Sequence, residues 1–303
     1  MVFAPAPLLT VTIEQSIAAP ELHVHAGGQG IWQARMITAL GCSVVMCVAV
    51  GGETGRILRD LLTGDRMTAR AVQREADSGW YVHDRRDGGR STVAEHPGAP
   101  MTRHDMDELY SLTLAEGLRA AVSVLSGPAD HAVIDADVYR RLAADLTANG
   151  ARVVADLSGD LLTAVLAGGV EFLKVSHEEL LADGRASDDS VAALGQAARQ
   201  LRADGAGSVL ISRADQPSLA LLDDELVEVT MPPLQVVDHR GAGDSLTAGV
   251  AAVLAQGGDL REAVRVGAAA GGVNVTRHGL GTGRAEAVTE LARRVTLTPA
   301  GEG

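Results

Sequence analysis

The sequence predicts an α/β fold: a doubly wound, mostly parallel sheet flanked by helices, with a small β lid. Three observations predict it. Short apolar runs rich in β-branched residues alternate with helix-length segments of 3.6-residue apolar spacing. The turn Gly241, Ala242, Gly243 joins a β-rich run to a helix rich in Ala and Leu. The βα rhythm breaks once, where two strand-like runs flank an Asp-Gly turn in the region 72–98.

The elements follow in order. In "PLLTVTIEQ", residues 8–13 alternate and carry β-branched side chains, which predicts a strand. Residues 30–40 predict a helix ended by Gly41. "CSVVMCVAV" is a continuous apolar run, as in a strand buried on both faces. "GGETGRILRDLLTG" predicts a short helix closed by Gly64. Residues 72–83 read as one strand, "DRRDGGR" as a turn, and "STVAEH" as the returning strand, ended by Pro97 and Gly98. Further strands are predicted at 121–125, 152–155, 172–174 and 208–211, with helices between them. "LALLDDELVEV" predicts a hairpin turning at Asp223 and Asp224, two helices follow, and the tail "TPAGEG" is expected to fray. Residues 1–303 are expected to form one domain, with approximately 17–26 and 72–98 as the lid.

Composition limits the function. Apolar residues make up 46% of the 303 and aromatics 2%, so the core must be built from Ala, Val and Leu. The net charge is −13 and no Lys/Arg-rich block occurs, so a nucleic-acid partner is not expected. The odd offset of Cys42 and Cys47 would place them on opposite faces of a strand, which suits buried small side chains rather than a disulfide or metal site. No apolar run reaches about 18 residues, and no charged segment precedes an apolar one at the start. A cytoplasmic protein without a membrane segment is expected.

The chemistry concentrates at "RGAGDSLTAG". Leu246, Val250, Val253 and Leu254 fall at helical spacing as one apolar stripe, so Gly241, Ala242 and Gly243 lie at a helix N-terminus. The first N–H groups of a helix lack internal partners and carry the positive end of its dipole. Small residues let an anion approach that backbone. Asp244 would compete with such an anion unless a hydroxyl lies between them. The carboxylate then accepts the hydroxyl proton while the N–H groups hold a transferred phosphoryl group. No G-x-x-x-x-G-K-[ST] loop occurs, and Gln33 occupies the third small position that a dinucleotide fingerprint starting at Gly28 would need.

"GAGDSLTAG", after the strand "LQVV", resembles the C-terminal signature of the ribokinase-like PfkB sugar kinases. "TVTIEQSIA", "AGGQGIWQARMITALG", "GGETGRILRDLL", "VVADLSG", "FLKVSHEEL", "SVLISRAD" and "GAAAGGVNVTRHGLGTG" fall in family order, nearest to the phosphofructokinase branch. The resemblance implies a ribokinase-like fold, ATP and Mg²⁺, a small-molecule sugar or sugar-phosphate acceptor, and a homodimer through the β lid. It implies Asp244 as general base and the Gly241, Ala242, Gly243 backbone as anion hole. It places Lys174, Ser212, Arg240, Asn274, Gly279 and Gly281 on the nucleotide side. Glu179 matches an acid that helps hold hydrated Mg²⁺, with Ser176 in place of an Asn. Gly27, Gly28, Gln29, Trp32 and Arg90 fall on the acceptor side.

Departures from the family gather on that side. Ala18 stands where the opening strand usually ends in a sugar-binding Asp, and Glu14 where an Asn is usual. Gln29 replaces the Lys of GGKG, and Trp32 the Asn that follows. In "SGWY", Gly79 stands for the lid Arg and Tyr81 for its Asn. Arg85, Arg86 and Arg90 either restore the missing charge or form a solvated hairpin tip. Trp32 and Trp80 either stack on the acceptor or pack. Arg240, usually Thr, either pairs with nucleotide phosphates or forms a surface ion pair. Glu179 is otherwise a solvated helix acid. His23 and His25 share one strand face, with no further metal ligands nearby in sequence. A nucleoside or polyol kinase, or a catalytically idle binding or regulatory protein on the same fold, are the alternative readings.

Overall fold

The computed structural model describes residues 1–17, 19–277 and 279–301. Ala18 and the last two residues of the tail lie outside them. In chain order, β1 (Val2–Phe3) is followed by β2 (Leu8–Gln15), β3 (Pro20–Gly27), α1 (Gln29–Ala39), β4 (Val44–Gly51) and α2 (Gly52–Leu61). Then come β5 (Met67–Arg74), β6 (Trp80–Asp84), β7 (Ser91–His96), α3 (Arg103–Gly117) and β8 (Val122–Ser126). The alternation continues with α4 (Ala136–Ala148), β9 (Arg152–Asp156), α5 (Gly159–Gly168), β10 (Val170–Ser176), α6 (His177–Ala182), α7 (Val191–Ala203) and β11 (Ala206–Arg213). The chain closes with β12 (Gln216–Leu222), β13 (Glu225–Thr230), α8 (Ala242–Ala255), α9 (Leu260–Val275), α10 (Ala285–Ala292) and β14 (Thr296–Pro299).

Ten strands form the main sheet in the order β14-β13-β12-β11-β10-β9-β8-β1-β4-β5. It is parallel from β11 to β5 and antiparallel from β11 to β14. Buried residues alternate between two cores along each central strand. Met46, Val48, Val154 and Phe172 pack on one face with Val250 of α8 and Ala269 of α9. Cys47, Ala49, Ala155 and Leu173 pack on the other with Leu142 of α4 and Leu162 of α5. This period of two with both faces covered explains the uninterrupted apolar runs. Strand order reverses at the β1/β8 boundary, and in such sheets the crevice at that point receives ligands.

Several expectations need correction. Val2–Phe3, too short to alternate visibly, is a central strand paired with both β4 and β8. Residues 72–83 are two strands, not one. β5 ends the main sheet, and β6 joins a second, four-stranded sheet in the order β3-β2-β6-β7. The small sheet therefore includes Leu8–Gln15 and begins at Trp80 rather than at 72. Arg74 anchors this excursion: its guanidinium donates to the carbonyls of Ala99 (2.9 Å) and Pro100 (2.7 Å), where the chain returns. Cys42 precedes β4 and is half-buried, so the two cysteines do not share a strand. In the tail, Thr298 and Pro299 pair with β13, and the Ala300 N–H donates to the Leu226 carbonyl at 2.9 Å. Edge pairing thus holds the chain through Ala300.

Helix α8 is not an amphipathic surface helix with one stripe. It is buried from Ser245 to Leu254, between the sheet, α1 and α9. Its Ala and Gly content permits this. A Cβ at Gly249 would lie 2.7 Å from the Gly267 Cα of α9. Gly249→Leu should therefore destabilise the fold by about 1–3 kcal/mol through overpacking, read as a lower urea midpoint at unchanged slope. An unchanged midpoint would mean that α9 retreats freely.

Candidate active site

The N-termini of α1 and α8 meet beyond the carboxyl ends of β1 and β8. They border a cavity of about 620 Å³ whose far wall is the small sheet. Gly28, Trp32, Arg90, Arg240, Gly241, Asp244 and Gly279 all line it. Gly241 caps α8 with a left-handed φ of 71°, a conformation glycine adopts without strain. The Ser245 N–H is bonded to the Gly241 carbonyl at 2.9 Å. The N–H groups of Ala242, Gly243 and Asp244 precede it and have no intrahelical acceptor. An open N–H cluster and a carboxylate therefore share one helix end, as the sequence predicts.

Beneath this turn lies a buried polar network. Lys174 Nζ meets Asp156 Oδ1 at 3.1 Å, with both residues almost fully buried. Asp156 Oδ2 accepts from Thr247 Oγ1 (2.9 Å) and from Gln33 Nε2 (3.2 Å). The Ser126 hydroxyl donates to Gln33 Oε1, and the Tyr139 hydroxyl donates to the Ser126 carbonyl at 2.8 Å. Burial works against the Lys174 charge, but Asp156, Glu179 and Asp244 outweigh it and hold its pKa above the ordinary value. Asp244 moves the other way. Burial first, then the Asp156 carboxylate, push it up to about 7, against the opposing pull of Lys174. A carboxyl near neutrality matches what a general base requires. Lys174 thus lies under the Gly241–Gly243 turn rather than in the cavity: a Cβ at Gly243 would be 2.7 Å from its Nζ.

The residues that the resemblance assigns to the nucleotide side occupy strand and helix ends nearby. Ser176 and Ser212 are register partners at the carboxyl ends of β10 and β11. Ser176 and Glu179 form a capping box at the start of α6. Glu179 Oε2 accepts from the Ser176 N–H (2.7 Å) and hydroxyl (2.8 Å), and the Ser176 oxygen accepts the Glu179 N–H. The Ser176 hydroxyl is therefore engaged, and Glu179 retains one oxygen. Among the described residues no group of three or more His, Cys, Asp or Glu is arranged to hold a metal.

Asn274 is a clamp. Its Nδ2 donates to the Arg240 carbonyl (2.7 Å), and its Oδ1 accepts from the Gly281 N–H (3.0 Å). Both ends of the amide are engaged, tying the Gly241–Gly243 turn to the 279–283 loop. Arg240 forms an ion pair rather than presenting a free guanidinium. It makes a bidentate contact with Asp238, with Nε–Oδ1 at 2.9 Å, and this pair holds the Asp238 carboxyl down to about 2. The pair lines the cavity and is no remote surface bridge.

On the acceptor side, β2 and β3 present Thr10, Thr12, Glu14, His23 and His25 to the cavity, and β6 presents Tyr81. The three lid arginines separate. Arg85 and Arg90 line the cavity, Arg85 at 3.3 Å from Glu14 and Arg90 against His83. Arg86 turns away to Asp84 on the exposed hairpin. Trp32 lines the cavity, whereas Trp80, one residue from Tyr81 on β6, points to the opposite face and stacks on His96. Gly27 stands where a side chain would strike Thr10 and Trp32. A side chain at Gly79 would meet Leu8 at 2.4 Å and the Pro97 carbonyl at 2.6 Å.

Arg35 escaped the sequence reading. It lines the cavity with its guanidinium 4.9 Å from the Trp32 ring centre. The signal was helical spacing: Gly28, Trp32 and Arg35 repeat on one face of α1. His25 is held at about 4, by burial first and then by Arg35, His23, Arg90 and His83. It is neutral at pH 7 in a strongly cationic setting.

Comparison with known proteins accords with this geometry. The profile of the pfkB family of carbohydrate kinases matches residues 8–287. ATP-dependent 6-phosphofructokinase isozyme 2 of Escherichia coli (strain K12) is 29% identical over 257 residues, 84% of this chain and 82% of that protein. A 1-phosphofructokinase of Haloferax volcanii is 29% identical over 242 residues, 80% of this chain and 77% of that protein. The crystal structure of phosphofructokinase-2 from Escherichia coli in complex with fructose-6-phosphate superposes with a TM-score of 0.82. It is 25% identical and covers 97% of both chains. Among the described residues no helix is long and apolar enough to cross a membrane. The sheet order, the crevice at its reversal and a family match over most of the chain converge: this protein belongs to the pfkB family of carbohydrate kinases, phosphotransferases that act on an alcohol group.

Proposed function

We propose that the protein transfers the γ-phosphoryl group of ATP to a hydroxyl of a phosphorylated sugar. The observation that carries this reading is Asp244, poised near neutrality beside the open N–H groups of α8. The acceptor hydroxyl gives its proton to Asp244 as its oxygen bonds to the γ-phosphorus. The bond from that phosphorus to the β-bridging oxygen breaks, and ADP leaves. The N–H groups of Ala242 and Gly243 hold the charge on the moving group. Bound Mg²⁺ would neutralise phosphate charge. Lys174 stays protonated and fixes the turn from below.

The charge around the cavity supports an anionic acceptor. Arg35, Arg85, Arg90 and Arg240 line it, against Glu14, Asp238 and Asp244. Burial and then its neighbours Arg240 and Arg85 lower the Arg90 pKa, a sign of cations held together without enough counter-charge. An acceptor phosphate supplies what is missing. Both relatives described above are named as phosphofructokinases, which accords with such an acceptor. We also infer a homodimer through the small sheet. Register places Leu22 and Val24 beside Ile13 and Val11 on the face away from the cavity, and both Leu22 and Val24 are exposed.

The defining experiment is ADP release over a panel of sugars, sugar phosphates, nucleosides and polyols. A sugar phosphate should give the highest kcat/KM. Turnover of nucleosides alone would replace this acceptor class, and no turnover at all would favour an idle binding protein.

Asp244→Asn should lower kcat by about 10²–10⁴ while ATP binding holds, compared by steady-state kinetics and calorimetry. It should also raise Tm, increasingly from pH 5 to pH 8. The sign follows from the raised carboxyl: the folded state binds this proton more tightly than the unfolded chain, so stability falls as pH rises towards about 7. The asparagine removes that loss.

Arg90→Ala should raise KM for the phosphorylated acceptor at least tenfold, since a charged hydrogen bond contributes about 1.5–3 kcal/mol. Arg86→Ala should leave it within about twofold. Equal effects would mean that the hairpin arginines act only through overall charge.

Leu22→Asp with Val24→Glu should shift sedimentation from dimer to monomer. A dimer that survives both changes uses another face.

A further inference from the structure

Charge for an acceptor phosphate rests on the arginines of the cavity. Gln29, in the place of the family lysine, is turned to the protein: its Oε1 accepts the Gly127 N–H at 2.6 Å, and it is not among the residues that border the cavity. Two of the arginines already face carboxylates, Arg85 with Glu14 and Arg240 with Asp238. Arg90 is engaged differently, because its guanidinium contacts Nε2 of His83. A guanidinium only donates, so Nε2 accepts and the ring proton sits on Nδ1. Burial first, then Arg90, Arg240 and Arg85, lower the His83 pKa, which keeps the ring neutral. His83 is 4% exposed, and its Nδ1 has no hydrogen-bond partner among the described residues. On β6 it follows Tyr81 by two residues, so both face the same way, with ring centres 5.6 Å apart. In register it pairs with Thr12 of β2, and Thr12 pairs with His23 of β3. Tyr81, Thr12 and His23 all line the cavity, whereas His83 shares their face but is withdrawn from the lining.

We propose that His83 is a positioning residue for Arg90: its neutral imidazole accepts from the guanidinium and aims it into the cavity, where it meets the phosphate of the acceptor. The role rests on the acceptor being phosphorylated. Arg90 stands on an exposed turn after Gly88 and Gly89, where a long side chain has many rotamers open to it. A carboxylate partner would hold the guanidinium but offset its charge, as Glu14 and Asp238 do for their arginines. A neutral acceptor gives the same geometric hold and leaves the full positive charge for a ligand. The N–H donated to His83 is one of several on the guanidinium, and the others remain for a phosphate.

The test uses the full-length protein. His83→Phe removes the acceptor, His83→Leu is a second variant in case Phe impairs folding, and His83→Gln places an amide oxygen near the Nε2 position. Affinity is measured by calorimetry for fructose 6-phosphate and, separately, for ATP. His83→Phe should weaken fructose 6-phosphate by about three- to tenfold, the net worth of one hydrogen bond, and leave ATP within about twofold. His83→Gln should return affinity to within about twofold of the wild type. In an Arg90→Ala background His83→Phe should add nothing further, because the imidazole acts through the guanidinium. In ¹⁵N spectra the His83 ring signals, assigned by their loss in His83→Gln, should report the Nδ1–H tautomer in the wild type and lose that preference in Arg90→Ala. An equal loss of affinity in the Arg90→Ala background, or equal weakening of ATP, would overturn the proposal and make His83 a structural residue or a contact of its own. Unchanged affinity in His83→Phe, or an Nε2–H tautomer in the wild type, would also overturn it. If the tautomer responds to Arg90 but fructose 6-phosphate does not bind, or binds no worse in Arg90→Ala, the contact stands. The phosphorylated-acceptor reading then fails, and the role proposed for His83 fails with it.

Discussion

The buried pair of Lys174 and Asp156 is the contact on which the crevice depends. Two charges removed from water are tolerated only when their remaining hydrogen-bonding capacity is filled. Asp156 meets that demand with partners from three directions: Lys174 on the neighbouring strand, Thr247 on α8 and Gln33 on α1. The carboxylate thereby fixes both helix N-termini relative to the sheet. It also gives the small residues before Asp244 a second purpose. Gly243 leaves its backbone open to an anion above, and the Lys174 ammonium below leaves no room for a side chain there. Burial of this pair also sets the field in which Asp244 titrates, so the fold and the chemistry share one electrostatic origin.

Much of the scaffold was legible because its signals are local. Runs such as "CSVVMCVAV" declare a strand covered on both faces, and the paired positive φ angles of Asp223 and Asp224 form the turn that "LLDDEL" suggests. The Gly241–Gly243 turn was legible for the same reason: its small residues and the start of α8 are contiguous in sequence. Long-range relations were not legible. Asp156 and Lys174 meet through strand register across 18 residues of sequence. Val2–Phe3 gains its strand from two neighbours rather than from its own pattern. The break between β5 and β6 falls on Glu75, Ala76, Asp77, Ser78 and Gly79, a β-poor run that the reading of 72–83 as one strand passed over, and Arg74 braces it by reaching to Ala99 and Pro100. At the site, the residue types did not disclose that Asn274 bonds to Arg240 and Gly281, or that the Arg240 ion pair left open by the sequence is made with Asp238.

Charge is distributed unevenly over the molecule. The chain as a whole carries −13, yet its main cavity gathers four arginines. An acidic exterior around a cationic pocket focuses the local field and keeps the overall potential from attracting polyanions. Part of that field comes from the small sheet, through Arg85 and Arg90, and part from the main domain, through Arg35 and Arg240. Two of these arginines are already paired within the cavity wall, Arg85 with Glu14 and Arg240 with Asp238.

At Gly79 the chain crosses itself at the base of the small sheet, with the Gly98 Cβ position 3.0 Å from the Gly79 nitrogen and Leu8 and Pro97 pressed against Gly79. The position where relatives are expected to carry an arginine has become a backbone crossing. An arginine here would drive its Cβ into a side chain and a carbonyl before the guanidinium could reach any ligand. Cationic charge for this cavity therefore enters from other positions, Arg35, Arg85, Arg90 and Arg240, whose side chains have room to reach it.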